Sequence, residues 1–397
     1  MTETLSTLLL HGGDGPRVVG QPVSPAPVLS TAFFTHPDAV GFSAEDLKAE
    51  TPHFYTRWSN PTLELLERRL ALLEGGEAAV VFGSGMGAIT GLFSERLGSG
   101  DHLVLSDVCY AGVAEYAHHQ LPRQGVEVSF VDASDPGQVA AALRPNTRLV
   151  HVETPANPIL RLTDIAAVAA IAHAGGAELS VDSTIATPVG TNPIGLGADY
   201  VCHSLTKYLC GHGDALGGAV IGTAERVAAL RRQSLIHLGA ALSPFSAYLI
   251  LRGIETLELR MDRHEANARA LAECLQAHPR VRRVNWPGLA SHPQADLARR
   301  QMRNFSGLLS FSVTSGGAAM ARQLADRLTT VSTAVSLGKT KSLCFFIPTE
   351  DILRSSFRLA GKAADDYRDW AGDGVFRVSV GIEAAADIIA DFEQALG

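Results

Sequence analysis

The chain has 397 residues, 46% of them hydrophobic, with a formal charge of −8 at pH 7 and a pI near 6.0. That length exceeds a usual single domain and predicts a large core split between two units, while the acidic balance, with lysines and arginines scattered, excludes a basic stripe for nucleic acid. No apolar run is long enough to cross a bilayer, Met1 to Leu10 lacks a secretory pattern, and five dispersed cysteines make no disulfide framework; the cytoplasm is the expected compartment.

Residues 1–59 are rich in Pro and Gly, as in Gln21-Pro22-Val23-Ser24-Pro25-Ala26-Pro27, which predicts an extended arm laid over another surface. From 60 to 244, strand-like runs alternate with helical stretches. Ala78–Phe82, Leu103–Leu105, Val126–Val131, Leu149–Val152 and Leu179–Val181 are the apolar runs, and Ile165–His173 is one of the helical segments between them. Such alternation predicts a mostly parallel sheet covered by helices. Phe245 to Cys274 carries an almost unbroken helical pattern, expected to link two domains, with Arg260, Arg263 and Arg269 solvated or ion-paired. The remainder, with a strand at Gly307–Val313 and a helix at Ala318–Leu328, reads as a smaller α+β domain ending at 397.

The segment Val201-Cys202-His203-Ser204-Leu205-Thr206-Lys207-Tyr208 places one lysine among small hydroxyl residues, after an apolar run and before Gly211-His212-Gly213-Asp214. A lysine amine can form a Schiff base with an aldehyde cofactor, and the Ser204 and Thr206 hydroxyls can bind that cofactor's phosphate. Taken alone, Lys207 would be a surface lysine. Asp182 changes that, because it ends a short buried strand at the carboxyl edge where ligands bind, and a carboxylate there can pair with a pyridine nitrogen. Gly83-Ser84-Gly85-Met86-Gly87-Ala88 follows a strand and opens a helix, so its amides can hold a phosphate. The same glycines also fit a dinucleotide fingerprint, with Asp107 as the ribose-binding acid; Asp182 with Lys207 favours the aldehyde cofactor. Tyr110 offers a ring to stack and a phenol to move protons, against the alternative of a core aromatic. Cys202, Cys210, His203 and His212 lack a usual zinc spacing, and no metal is expected.

These pieces resemble the Cys/Met-metabolism family of pyridoxal phosphate enzymes, over nearly the full length. The likeness rests on Tyr55-Thr56-Arg57 with Asn60-Pro61-Thr62, Ser84-Gly85-Met86, Tyr110, Glu153-Thr154-Pro155-Ala156-Asn157-Pro158, Val181-Asp182, Ser204 with Thr206-Lys207-Tyr208, Leu242-Ser243-Pro244, Val335-Ser336-Leu337-Gly338 and Arg377-Val378-Ser379. The resemblance implies the α/β fold-type I architecture of pyridoxal phosphate-dependent transferases. This has a mostly parallel seven-stranded sheet in a large domain, here 60–244, and a smaller α+β domain after a linker helix, here 245–397. It also implies that Lys207 carries pyridoxal 5'-phosphate, that Asp182 meets the ring nitrogen, that Tyr110 stacks and transfers protons, and that Asn157 partners the ring hydroxyl. Ser84, Gly85, Met86, Ser204 and Thr206 match phosphate-binding positions. Tyr55 and Arg57 match residues that reach a neighbouring subunit's phosphate, so the arm, 1–59, is expected to contact a second chain in a homo-oligomer, a tetramer by resemblance. Arg377 matches the residue that grips the substrate carboxylate, with Ser336 beside it and Val335 nearby.

Within the family, the reading is a lyase acting on a small amino acid by α,γ-elimination. Cystathionine γ-lyases resembling this chain carry acids at the positions of Phe54 and Val335; both are apolar here, and burying a distal ammonium against them would be unfavourable. Methionine γ-lyases share apolar residues there. The chain departs from them at Gly112, at Leu235-Ile236, at Ser183 and over Gly338 to Pro348, so γ-replacement by a sulfhydrylase or synthase and β-lysis stay open, with a nicotinamide oxidoreductase as the remote alternative.

Overall fold

The structure is a computed structural model and describes residues 3–16, 18–36, 38, 43–47 and 51–397. The parts of the arm and of the Met1–Leu10 stretch at 1–2, 17, 37, 39–42 and 48–50 lie outside the described residues. The first sheet contains β1 (Ala78–Phe82), β2 (His102–Ser106), β3 (Glu127–Val131), β4 (Thr147–Glu153), β5 (Glu178–Asp182), β6 (Tyr200–His203) and β7 (Gly218–Gly222), in the order β1-β7-β6-β5-β4-β2-β3. Strands β3, β2, β4, β5 and β6 run parallel, and β7 pairs antiparallel with both β6 and β1. The sheet is thus mostly parallel, and its apolar runs form five of the expected strands within one or two residues. Strand β7 was not anticipated: Gly218-Ala219-Val220-Ile221-Gly222 is short and flanked by glycines, a pattern that reads as a loop until neighbouring strands bury both faces.

Two apolar layers cover the sheet. On one side Leu63, Leu66 and Leu70 of the helix Pro61–Glu74 pack with Val81, Val201 and Ile221; on the other, Phe93, Leu105 and Cys202 pack with Val80 and Val220. The helix begins where Asn60 accepts the Thr62 amide at 2.9 Å with Pro61 at the first turn, and ends at Gly75, whose φ of 70° suits glycine.

The second sheet has β8 (Val281–Asn285), β9 (Leu308–Val313), β10 (Ser332–Thr333), β11 (Leu343–Pro348) and β12 (Gly374–Ser379), ordered β10-β11-β12-β9-β8. Helices Gly317–Arg327 and Ala385–Leu396 cover it through Leu324, Ile388 and Phe392 against Phe311 and Phe376. Alternation along β12 turns Phe376 and Val378 into this core and leaves Arg377 on the opposite face.

Three expectations need correction. The helical pattern over 245–274 is two helices, Pro244–Ile254 and Leu257–Ala277, broken around Glu255 and Thr256. Arg260 is neither solvated nor ion-paired: it is buried, and its guanidinium donates to the carbonyls of Tyr208 and Gly253, each at 2.7 Å. The break frees the Gly253 carbonyl, and Arg260 satisfies it; a charge at this position in a helical pattern reads as solvated until the partner carbonyl is seen. The arm is not extended throughout. Leu5–His11 is helical, with Leu9 buried in the core beside the helix Pro61–Glu74, and Arg69 holds it by donating to Gly12 at 2.9 Å and pairing with Asp14.

The chain also returns to the first sheet late. Leu353 and Phe357, and then Ala364, Tyr367 and Ala371 of the helix Gly361–Ala371, join the core that contains Leu105, Val113 and Leu149.

Candidate active site

The parallel strands deliver their carboxyl ends to one edge: Tyr110 follows β2, Asn157 follows β4, Asp182 ends β5 and Lys207 follows β6. Asp182 ends β5 and is paired in register with Cys202 of β6 and Glu153 of β4. It is buried, and Oδ1 accepts the Thr184 amide at 3.0 Å. Burial raises this carboxyl above its ordinary value, while the Thr184 contacts and the nearby His203 charge pull it down. His203 is itself buried and lies 2.6 Å from Glu74.

After β6 the chain turns through Ser204 to Lys207. The Ser204 amide donates to Thr184 Oγ1 at 2.8 Å, and the Lys207 amide to the Ser204 carbonyl at 3.2 Å, which fixes the lysine beside the strand end that carries Asp182. Lys207 Nζ is 3.2 Å from Ser336 Oγ and meets no carboxylate there. Burial, then the charges of Arg377 and Lys339, lower its pKa, so the neutral amine that attacks an aldehyde is more accessible than in water.

Ser84, Gly85 and Met86 sit at the start of the helix Gly85–Arg96, where Ser84 Oγ accepts the Gly87 amide at 3.0 Å. The amides of Gly85 and Met86 precede the first intrahelical bond and are free to hold an anion. A Cβ on Gly85 would lie 2.8 Å from the Ser204 Cβ, so the glycine turn and Ser204 are in direct contact. Thr206 Oγ1 accepts the Gly217 amide at 3.0 Å, and Gly218 packs on the Ser84 carbonyl.

Arg377 is half-buried rather than part of a surface ion pair. It donates to Asn157 Oδ1 at 3.3 Å and to the Ser336 carbonyl at 3.2 Å. Asn157 in turn donates its amide to Glu153 Oε1 at 2.8 Å, and Tyr110 donates its amide to Glu153 Oε2 at 2.5 Å. Ser336 has a φ of 86°, uncommon for a residue with a side chain and a conformation often found at functional sites. Tyr110 is 48% exposed, which removes the core-aromatic alternative; a Cβ on Gly112 would come within 2.9 Å of its ring and 3.3 Å of Met86 Sδ, so ring and thioether share one corner.

The remaining positions stand apart. Val335 is exposed beside Ser336, and Phe54 lies in the arm, edge-on to Trp58. The Arg57 guanidinium lies over the Tyr55 ring and donates to the Ile236 carbonyl. Neither Tyr55 nor Arg57 bonds to the Ser84–Thr206 group within the chain, among the described residues. Asp107, the candidate ribose acid, is buried against Arg161, which also pairs with Asp132. Two residues escaped the sequence reading: Glu153, visible only as part of a motif, and Lys339, whose side chain crosses Gly213. In the divergent stretch, Glu383 accepts the Ser342 amide at 2.7 Å and its hydroxyl at 2.9 Å. Among the described residues no three metal-ligating side chains converge, and no helix is long and apolar enough to cross a membrane.

The donor set fits one cofactor: a half-buried amine for an aldehyde, a buried carboxylate for a ring nitrogen, and free amides with two hydroxyls for a phosphate. Fold and site together are those of a pyridoxal phosphate-dependent enzyme. The family described as Cys/Met metabolism PLP-dependent enzyme matches residues 6–397, and the chain belongs to it. It is 43% identical over 392 residues to the L-methionine gamma-lyase of Pseudomonas putida, covering 98% of this chain and 96% of that one. The O-succinylhomoserine sulfhydrylase of Pseudomonas aeruginosa is 41% identical over 382 residues, covering 95% and 93%. The crystal structure of cystathionine gamma synthase from Xanthomonas oryzae pv. oryzae, in complex with aminoacrylate and cysteine, superimposes with a TM-score of 0.88 at 36% identity, covering 100% of this chain and 98% of that one.

The close packing around Gly85 predicts a separable effect. Gly85→Ala must displace Ser204 from the anion-binding turn, so cofactor affinity, read by titrating the apoenzyme with pyridoxal phosphate, should fall about tenfold, while kcat at saturating cofactor changes little.

Proposed function

We propose that the protein is a lyase that catalyses α,γ-elimination on a γ-substituted L-amino acid of methionine, homocysteine or homoserine-derivative type. With one water consumed, it would release 2-oxobutyrate, ammonia and the protonated leaving group. The observation that carries the reading is the continuous run of contacts from Lys207 through Ser336, Arg377, Asn157 and Glu153 to Tyr110, which groups an amine, a carboxylate-binding cation and a phenol. Likeness to L-methionine gamma-lyase and the apolar Val335 support elimination from a substrate without a distal charge.

In this reading Arg377 binds the substrate carboxylate through its planar fork, with Ser336 beside it. Lys207 would hold the cofactor aldehyde until the substrate amine took its place; its freed amine would then take the proton from Cα, give that proton up to the cofactor, and so be able to take a second one from Cβ. When bound, pyridoxal phosphate supplies an electron-accepting ring that stabilises negative charge at Cα. Asp182 keeps the ring nitrogen protonated, Asn157 meets the ring hydroxyl, and Ser84, Gly85, Met86, Ser204 and Thr206 hold the phosphate. Tyr110 stacks on the ring and protonates the departing sulfur or oxygen.

Tyr55 and Arg57 complete the phosphate site of a second subunit in a cytoplasmic homotetramer. The fully exposed Val19, Val23 and Phe34 suit an arm, 1–59, that is covered by another copy. The cofactor-binding domain is 60–244 and the linker and small domain 245–397.

The test is a panel of β- and γ-substituted amino acids with identification of the ketoacid. Release of 2-oxobutyrate from γ-substituted members is expected. Pyruvate from β-substituted ones alone would mark β-lysis. A new thioether without ketoacid would mark γ-replacement, the reading favoured by likeness to the sulfhydrylase.

A further inference from the structure

We propose that Glu153 is a positioning residue that sets the active-site phenol and the substrate-binding arginine together, by holding the backbone amides of Tyr110 and Asn157 on the two oxygens of one carboxylate. The inference rests on the reading of Tyr110 and Arg377 given above and extends it to a residue that touches neither cofactor nor substrate in that scheme.

Glu153 ends β4 and is buried at 5% exposure. Oε2 accepts the Tyr110 amide at 2.5 Å and Oε1 the Asn157 amide at 2.8 Å. Tyr110 stands at the N-cap of the helix Ala111–His119, so its amide anchors the turn from which its side chain leaves. Asn157 lies in the loop after β4, and its side-chain oxygen accepts from Arg377 Nη1 at 3.3 Å. One carboxylate therefore governs two groups with different duties: a proton donor in the chemical step and, through Asn157, the cation that binds substrate.

A second buried link joins the same two loops. Arg161, four residues past Asn157, pairs with Asp107, three residues before Tyr110, and with Asp132 of the segment after β3. Arg161 and Asp107 are both buried at 5% and 4% exposure. This pair fixes the separation of the loops, and Glu153 fixes the rotation of each about its own end.

Burying an acid beside Asp182 is unfavourable, and both burial and that neighbour raise the Glu153 carboxyl above its ordinary value. The two amides and the Arg377 charge oppose them. An apolar residue here would leave both amides without the acceptor they have in this structure.

The experiment compares Glu153→Ala and Glu153→Gln, alone and with Tyr110→Phe, and measures amide hydrogen exchange in the cofactor-free protein. Glu153→Ala should lower kcat about 100-fold, the scale of a misplaced proton donor. In the Tyr110→Phe background the same change should cost only about threefold, since the group it positions is already absent. Glu153→Gln, which keeps one acceptor oxygen, should recover about tenfold of the loss. Exchange at the Tyr110 and Asn157 amides should rise at least about tenfold in Glu153→Ala, with the amides of β4 and β5 unchanged.

Additive losses with Tyr110→Phe, or unchanged exchange at both amides, would overturn the proposal. General loss of protection across the sheet would also overturn it, by making Glu153 a fold residue. Because the exchange measurement needs neither cofactor nor substrate, it stands whichever reaction the ketoacid assay reveals.

Discussion

Replacing Lys207 with alanine will abolish turnover, with the rate falling by at least about four orders of magnitude, and will remove the visible absorption that a lysine-bound pyridoxal phosphate gives. The size of the effect follows from the roles combined in one atom. Lys207 Nζ lies 3.2 Å from Ser336 Oγ, in a half-buried setting where burial and the cations Arg377 and Lys339 lower its pKa. That favours the neutral amine, both as nucleophile and as base. Lys339, whose side chain packs against Gly213, is near enough for its charge to act on Lys207, and the hydrogen bond to Ser336 is made by Lys207 Nζ. Borohydride reduction of the wild-type protein followed by peptide mapping should leave the cofactor mass on Lys207, and no such adduct should form in Lys207→Ala. A variant that turns over at full rate, or an adduct on another lysine, would refute the assignment. Lys207→Ala should still fold, since the backbone contacts of residue 207 use its amide and carbonyl, which alanine keeps.

The sheet and most of the site were legible in the sequence for a shared reason. A parallel strand buried on both faces writes itself as an apolar run, and a functional side chain must leave that run at its carboxyl end. Asp182 after Leu179-Ser180-Val181 and Lys207 after the β6 run are read that way, as is the glycine turn after Ala78–Phe82. What the sequence hid is what depends on distant partners. Strand β7 has no hydrophobic period of its own beyond three residues between glycines, and becomes a strand only because β1 and β6 bracket it. Arg260 looks solvated until Tyr208 and Gly253 are seen to offer it carbonyls. Glu153 carries no local sign of its task, because both its partners are backbone amides from loops on either side of it in sequence. Glu383 escapes for the same reason: its link to Ser342 spans 41 residues.

Replacing Asp182 with asparagine should lower kcat by about three orders of magnitude while leaving the fold intact, a loss on the scale of a preorganised charge removed from a buried site. Asparagine is the informative choice because its side-chain oxygen can still accept the Thr184 amide, now 3.0 Å from Asp182 Oδ1, so shape and the hydrogen bond persist and only the charge is lost. An anion at this position is costly to bury: burial raises the Asp182 carboxyl above its ordinary value, and the Thr184 contacts and the nearby His203 offset only part of that rise. A protonated ring nitrogen beside this carboxyl would favour the ionised form, and that pairing is one a neutral isostere cannot make. In the proposed scheme Asp182 keeps the ring nitrogen protonated, and without it the ring no longer draws electrons from Cα. Cofactor affinity should fall far less than kcat, since that scheme assigns the phosphate to Ser84, Gly85, Met86, Ser204 and Thr206, which Asp182→Asn does not touch. The check is therefore a pair of measurements on the same variant: apoenzyme titration with pyridoxal phosphate, and kcat at saturating cofactor. A loss confined to cofactor affinity, with kcat restored at saturation, would make Asp182 an anchor and would reject the electronic role.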